Sequence, residues 1–501
     1  MRSEVTESTV RPALSLVSGR AVAFVATFFI PIVLVRMFDQ AEFGTYKQLF
    51  LIYSTLYGIA QLGMAESLFY FLPLAPRQAG RYTLNSVLVL AAGGLACFVL
   101  LAADGGRVSR WLSNSELAVH VTFIGAYLLL MLVSAVLEIV MISSKHYVRA
   151  ALCYGLSEVV RAALFIAPAL LLRRLDWVLV GAVAFASLRA GVALVYLRRE
   201  FGRELRLDPR LLKEQLAYAV PFGAAGLVAI LESNFHQYIV SYHFDAATFA
   251  IYAVGCLQMP FVEFVATSVA SVMMVEMSEG VKTGRTEQVL AIWHETTRKL
   301  ALFFFPLVGL LLVTARELIV FLFTESYAPS VPVFMVWSTA ILFAAFQTDG
   351  VMRVYAQTRL LFGLYLLKLA LIAALINWFL RAFYLPGAVL VTVLALVVAK
   401  GLMLGRMRSL MQISVSRLLP WRSLAGILAV TALAALAALI VKTPLDISAL
   451  PSLVVTAGVY GGVYLGVLYR LGLVTERERL AVRGWFERRT GDLAKPQLRK
   501  T

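Results

Sequence analysis

The chain has 501 residues, 60% of them hydrophobic and only 15% charged, with a mean hydropathy of +0.82. No soluble globular domain has that composition, so a water-soluble enzyme or binding module is excluded and a polytopic membrane protein is indicated. The net charge of +16 would suit nucleic acid in a soluble chain, but here it gathers in loops on one membrane side facing anionic lipid, and a nucleic-acid role is rejected.

Crossing about 30 Å of hydrocarbon takes about 20 apolar residues as helix. About fourteen such stretches are predicted in chain order: 13 to 35, 46 to 74, 82 to 103, 117 to 142, 147 to 172, 177 to 197, 214 to 241, 247 to 276, 297 to 314, 331 to 352, 359 to 380, 384 to 405, 421 to 441 and 450 to 470. With the N-terminus inside, 32 of the 45 basic residues fall in inner segments and 9 in outer loops, which predicts a multi-pass membrane protein with both termini cytosolic. Residues 1 to 12 are polar, and the apolar run that follows is too long for a signal sequence and lacks a small-residue cleavage site, so the first helix is expected to remain. Cys97, Cys153 and Cys256 lie in apolar spans without CxxC spacing and read as inert thiols.

The stretch FDQAEFGTY at 38 to 46 returns as FDAATFAIY at 244 to 252, an offset of 206 residues, each copy lying between two long apolar segments. A duplicated half-protein inserted twice with the same polarity gives this pattern. The expected architecture is therefore all-α: an N-terminal six-helix lobe over 1–198, a cytosolic linker over 199–213, a second six-helix lobe over 214–408, two additional helices within 409–471 and a basic cytosolic tail over 472–501, with a cavity between the lobes.

Within the inner segments, 198 to 222 reads either as a helix on the membrane surface, from the spacing of Leu211, Leu212 and Leu216, or as a solvated linker. Lys282 to Lys299, with Val289, Leu290, Ile292 and Trp293, and the basic stretch 476 to 489 read as interfacial anchors. The outer loops are too short for a catalytic domain, and HExxH, GxSxG, P-loop and Gly-rich dinucleotide motifs are all missing. His120, His146, His236, His243 and His294 have no metal-ligand spacing. Translocation without covalent change, and without metal or cofactor, is expected.

Polar side chains inside spans cost about 2.5 to 3.5 kcal/mol each on insertion scales, so they mark either ion pairs or a wet cavity. In the first half they are Arg20, Glu66, Glu158, Arg161 and Arg189, which could form one layer in the cytosolic half; the repeat partner of Arg20 is Gly226, so the scaffold carries a cation in one copy only. Two readings stand. Arg20 pairs with Glu66, and Arg161 or Arg189 with Glu158, as structural ion pairs; or one or more guanidinium groups bind pyrophosphate by paired charge-assisted hydrogen bonds.

The second half contributes LESNFHQ at 231 to 237, where Glu232 and His236 share a helix face beside Asn234 and Gln237, followed by Gln258 and Glu263. Such a stripe is expected to line a cavity for sugar hydroxyls, with Glu232 or Glu263 as a coupling-ion candidate beside Glu66 and Glu158. Lys368, Asp349 and Arg353 are further candidates. Pro221, Gly223, Gly226, Gly255, Pro260 and Pro306 are helix breakers that serve as hinges or permit close packing, while Gly458, Gly462 and Gly466 read as a packing face.

The residues Phe38 to Tyr46, GMAESLFYFLP at 63 to 73, LIVFLFTESYAPSVPVF at 318 to 334 and QTRLLFGLYLLKLALIAALINWFLRAFYLPGAVLVT at 357 to 392 together resemble the polysaccharide (oligosaccharide-lipid) flippases of the multidrug/oligosaccharidyl-lipid/polysaccharide (MOP) exporter superfamily. The sequence departs from the family pattern at Phe38-Asp39, where a Pro is common, and at Thr324, where a Gly is common. The resemblance implies transfer of an undecaprenyl-pyrophosphate-linked oligosaccharide, for O-antigen, lipopolysaccharide, capsule or exopolysaccharide, from the inner to the outer leaflet. Membrane lipids and other polysaccharide assembly proteins are the implied partners. On charge and burial, Arg20, Arg161 and Arg189 would then take the pyrophosphate, and Glu232, Asn234 and His236 the sugar or coupling ion. A peptidoglycan-precursor flippase and a multidrug exporter share the architecture. A membrane glycan polymerase or ligase would need a large outer loop.

Overall fold

The computed structural model describes residues 25–443 and 448–472, and all the regular structure among them is helical. Helix α1 (Val25–Met37) leads into α2 (Gln40–Gln61), whose N-cap Asp39 accepts the Glu42 backbone N–H at 2.8 Å. The second copy of the repeat does the same: Asp245 caps α10 (Ala246–Gly255) by accepting the Thr248 N–H at 2.8 Å, with φ/ψ of −68°/171° against −70°/175° at Asp39. The repeated motif is thus a helix start, written by the short carboxylate that satisfies an orphan amide. Hydrogen bonds from Thr248 hold the Asp245 carboxyl below its ordinary value. The two copies also pack on each other, since a Cβ at Gly44 of α2 would fall on the Ala246 carbonyl of α10.

The predicted span 46 to 74 is broken at Leu62 and Gly63, both left-handed (φ 45° and 72°), where α3 (Met64–Leu74) begins. Helices α4 (Ala79–Trp111) and α5 (Leu117–Ser134) form an antiparallel pair, and α6 (Leu137–Ser143), α7 (Tyr147–Leu172) and α8 (Leu175–Phe201) follow. Helix α9 (Pro209–His243) bends by 46° between Pro209–Pro221 and Gly226–His243, as expected where Pro221 removes a hydrogen bond. At Gly223 a Cβ would strike the Leu62 backbone, so this glycine serves close approach.

The first stretch of α9 is docked on protein, which removes the solvated-linker reading of 198 to 222. Leu211, Leu212 and Leu216 join a core with Leu68, Phe71 and Tyr82 of α3 and α4. The fully buried Gln215 donates to the Ser67 and Ser86 hydroxyls at 2.8 and 2.7 Å. Asp208 caps the helix and pairs with Arg81 at 3.1 Å. The Leu211 N–H is the main cause that holds its carboxyl below the ordinary 3.8.

The remaining helices are α11 (Pro260–Lys282), α12 (Thr286–Val313), α13 (Ala315–Phe323), α14 (Val331–Ala344), α15 (Thr348–Val354), α16 (Thr358–Met411), α17 (Val415–Leu418), α18 (Trp421–Lys442) and α19 (Ala449–Arg470). Helix α16 carries two predicted spans, and its helical geometry fails at Tyr384 (φ 56°, ψ −142°). Pro386 lacks an N–H there, and Gly387 lets the chain approach the Phe379 carbonyl. Ten helices among the described residues are long and apolar enough to cross a membrane, or eleven with the bent α9. Dividing α16 at Tyr384, and adding α1 and the α2–α3 pair, accounts for the fourteen predicted stretches. The protein is a polytopic all-α membrane protein.

Two compact units are distinguished by packing. The first takes Met1–Pro260, Leu322–Trp337 and Thr358–Ala399; the second takes Phe261–Phe321, Ser338–Gln357 and Lys400–Thr501. In the second unit two sequence expectations are corrected. Trp293 is fully buried and donates to the Leu418 carbonyl at 2.9 Å, while Val289 and Leu290 are buried beside it, so Lys282 to Lys299 forms part of α12 rather than an interfacial anchor. A Cβ at Gly458, Gly462 or Gly466 would meet open space, so that stripe is not a helix-packing face among the described residues. Helix α19 packs instead through Tyr460 and Tyr464, the latter donating to the Leu302 carbonyl at 3.0 Å. The stretch 476 to 489 lies outside the described residues.

Candidate functional site

The first unit gathers most of the intramembrane charge. Arg161, midway along α7, pairs with Glu158 one turn earlier and donates to Thr27 of α1 at 2.7 Å; Thr27 in turn donates to Glu158 at 2.9 Å. Arg161 Nε is buried without a hydrogen-bond partner among the described residues. The guanidinium lies within electrostatic range of Tyr46, Tyr53 and Tyr127, part of an aromatic cluster in which Tyr53 and Tyr127 stand 4.8 Å apart and Phe50 and Phe165 5.6 Å.

Arg189 on α8 is fully engaged. Its Nη2 pairs with Glu138 of α6 at 2.8 Å, Nη1 donates to Ser157 at 2.6 Å and Nε to Ser134 at 3.2 Å. Of the two arginines anticipated for Glu158, Arg161 is thus the one that pairs with it, while Arg189 takes Glu138. Glu66 on α3 has a buried Oε2 without a partner among the described residues. Arg20, its anticipated partner, lies outside the described residues, and its repeat counterpart Gly226 is exposed.

Along α9 the polar stripe reaches a different helix at nearly every position. Glu232 pairs with Lys368 of α16 at 2.8 Å, with side-chain exposures of 12% and 13%, and the Lys368 ammonium lies 5.0 Å from the Tyr365 ring centroid. Asn234 donates to Thr55 of α2 at 2.9 Å. His236 Nδ1 meets the Tyr252 hydroxyl of α10 at 2.6 Å, its ring packs 5.6 Å from Trp337, and its Nε2 is buried without a partner among the described residues. In the second unit Glu263 is exposed on α11, Asp349 pairs with Lys400 of α16, and Arg353 is exposed on α15.

Three features escaped the sequence reading. Glu138 sits in an apolar run and is found only through its distant partner Arg189. A buried amide network joins α2 to α9: Gln48 donates to Ser241 at 2.7 Å and accepts from Asn114 at 2.6 Å, and Asn114 also donates to Thr45 at 2.8 Å. Lys47, assigned to the edge of a span, stands inside α2, 5.4 Å from the Phe43 ring centroid. Among the described residues no group of three or more His, Cys, Asp or Glu side chains is placed to hold a metal.

A family model described as polysaccharide biosynthesis protein matches residues 33–332. Among solved structures the chain is similar to one titled lipid II flippase MurJ in an inward closed conformation, at a TM-score of 0.68 and 11% identity over 90% of this chain and 99% of that one. It is also similar to an inward-facing multidrug resistance MATE family transporter of the MOP superfamily, at 0.60 and 14% over 78% of this chain and 95% of that one. A MOP superfamily transporter from Pyrococcus furiosus matches at 0.52 and 12% over 81% and 96%. At these identities the likeness shows the fold, a MOP-type helical transporter fold. No curated sequence matches the chain.

Proposed function

The chain belongs to the polysaccharide biosynthesis protein family, and from that premise we propose that it is a flippase, without enzymatic activity, for an undecaprenyl-pyrophosphate-linked oligosaccharide. It moves this lipid from the inner to the outer leaflet of the bacterial inner membrane for O-antigen, lipopolysaccharide, capsule or exopolysaccharide assembly. The protein works by alternating access of its duplicated six-helix halves, with both termini cytosolic and other polysaccharide assembly proteins downstream.

The observation that carries the reading is the Arg161 guanidinium, a permanent cation at membrane depth whose Nε is buried and unpartnered among the described residues. Leaving a buried donor unmet costs about 1 to 3 kcal/mol. A pyrophosphate oxygen would satisfy it, and the phenols around it supply a polar yet water-poor surround. Arg189 has a protein partner on each of its three nitrogens, so its role is to fix α6, α7 and α8 around Arg161. On the α9 side, Glu232, Asn234 and His236 are the sugar-facing or coupling-ion residues, with Lys368 poised to compete for Glu232. Arg20, Glu66, Glu158 and Glu263 complete the proposed set.

A second reading, transfer of a peptidoglycan precursor, is favoured by the 0.68 TM-score against the MurJ structure. The test is the lipid-linked sugar pool of a deletion strain carrying wild type, Arg161→Ala or Arg20→Ala at equal protein level. Accumulated undecaprenyl-pyrophosphate oligosaccharide with surface polysaccharide lost supports the proposal. A block in wall synthesis with surface polysaccharide intact favours the second reading, and altered drug tolerance with an unchanged pool refutes both.

A further inference from the structure

Helices α11 and α12 of the second unit, joined by the turn at 283–285, bound a cleft of about 440 Å³. Glu276 of α11 lines one wall and Glu295 and Lys299 of α12 the other, with Val269, Val272 and Ile292 beside them. Glu276 lies six residues before Lys282, Glu295 nine past Thr286 and Lys299 thirteen past it. At about 1.5 Å per residue the three charges stand about 9, 14 and 20 Å from the joined ends.

The charges are not locked to each other. Glu295 pairs with Lys299 at 2.6 Å, but both side chains are more than half exposed, at 61% and 51%, and a pair of that kind holds weakly and exchanges partners easily. The Glu276 side chain has no ion pair or hydrogen bond among the described residues. The Ser268 hydroxyl, also on the cleft, donates to the Phe264 carbonyl of its own helix at 2.6 Å, which leaves its oxygen able to accept.

Two carboxylates and one ammonium give the cleft a net charge of −1, which disfavours a phosphate. Carboxylates accept charge-assisted hydrogen bonds from hydroxyl groups and an ammonium donates to them, while Val272, 60% exposed, offers apolar surface to a face of C–H groups. A bare cation would use neither the ammonium nor the apolar wall; a sugar ring uses all three. The repeat adds an independent argument. Under the 206-residue offset the counterparts of Glu276, Glu295 and Lys299 are Tyr70, Val89 and Gly93. The first copy therefore builds its pair of helices without these charges, which separates them from folding.

We propose that the α11–α12 cleft is a sugar subsite, in which Glu276, Glu295 and Ser268 accept from the hydroxyl groups of the carried glycan and Lys299 donates to them. The inference rests on the flippase reading for its ligand and on the cytosolic termini for its place. The joined ends are then the inner ends, and the cleft spans the level at which inner-leaflet headgroups give way to hydrocarbon. A glycan still attached to its lipid meets the protein at that level.

The test is equilibrium binding to full-length protein in lipid nanodiscs, wild type against Glu276→Ala, which removes an acceptor, and Val272→Trp, which fills the cleft from an exposed position. The probes are undecaprenyl-pyrophosphate oligosaccharide isolated from the deletion strain, undecaprenyl pyrophosphate without sugar, and tetraphenylphosphonium as a cation. Expected is about tenfold weaker binding of the glycan-bearing lipid in both variants, with binding of the sugar-free lipid unchanged. Wild-type affinity for the glycan-bearing lipid in both variants, or equal losses for the two lipids, overturns the inference and leaves the flippase reading intact. Glu276-dependent binding of tetraphenylphosphonium, with both lipids ignored by wild type, overturns the inference and that reading together.

Discussion

The Glu232–Lys368 pair decides whether the polar stripe of α9 holds the helices together. With both side chains nearly buried and their charged atoms 2.8 Å apart, removing one partner strands the other in a water-poor surround, which costs about 3 to 5 kcal/mol. Lys368→Met and Glu232→Gln should each lower stability by an amount of that order. Glu232→Gln is the milder of the two, because the amide still accepts from the ammonium and the lysine can shed its proton. The double variant should recover part of the loss, with a coupling of about 1 to 3 kcal/mol. Denaturant titration of the four proteins in one detergent, followed by tryptophan fluorescence, gives the double-mutant cycle. Strictly additive effects, or a Lys368→Met protein as stable as wild type, would refute the claim that the pair braces α9 against α16.

Gly44→Ala should impair folding, because its Cβ would fall on the Ala246 carbonyl, a backbone atom that cannot rotate away; the readout is the monodisperse fraction after purification. Gln48→Leu should destabilise by about 1 to 3 kcal/mol, since it removes one acceptor of the buried Asn114 amide, which keeps only Thr45, and the donor to the Ser241 hydroxyl; a change below about 0.5 kcal/mol in denaturant titration would contradict that network. Asp208 has a carboxyl pKa below its ordinary 3.8, so its contribution is present above that value and lost as pH falls through the lower folded value. In Asp208→Asn the acid limb of the stability profile below about pH 4 should therefore be shallower than in wild type, as checked by acid unfolding. Asp245→Ala should cost about 0.5 to 2 kcal/mol through the lost cap of α10, and Asp39→Ala a similar amount at α2.

Features set by local chemistry were legible in the sequence. The Asp39 and Asp245 repeat was legible as a duplication, and the membrane spans follow from composition alone; the helix starts those carboxylates cap were not read, and α2 begins at Gln40 rather than at 46. Helix breaks were legible where the residue type forces them, as at Pro221 and Pro260. What escaped depended on distant partners or on which face a helix presents. Glu138 and Arg189 are separated by 51 residues, and neither position announces the other. The Gly458, Gly462 and Gly466 stripe looked like a contact, but spacing does not tell which side of α19 meets α18, and Tyr460 and Tyr464 fill that side. Trp293 seemed interfacial because its neighbours are polar, whereas the Leu418 carbonyl draws it inward. Lys47 stands at the start of a span predicted from 46, whereas α2 begins at Gln40, which hid a cation inside the helix.

The most direct measurement is leaflet transfer in proteoliposomes, with a fluorescent undecaprenyl-pyrophosphate oligosaccharide placed in one leaflet and an impermeant quencher added outside. The account predicts that wild-type protein carries the probe across, that Arg161→Ala slows it at least tenfold, and that a polyprenol lacking pyrophosphate is not carried. Equal rates for empty and protein-containing vesicles, or equal transfer of both lipids, would contradict it.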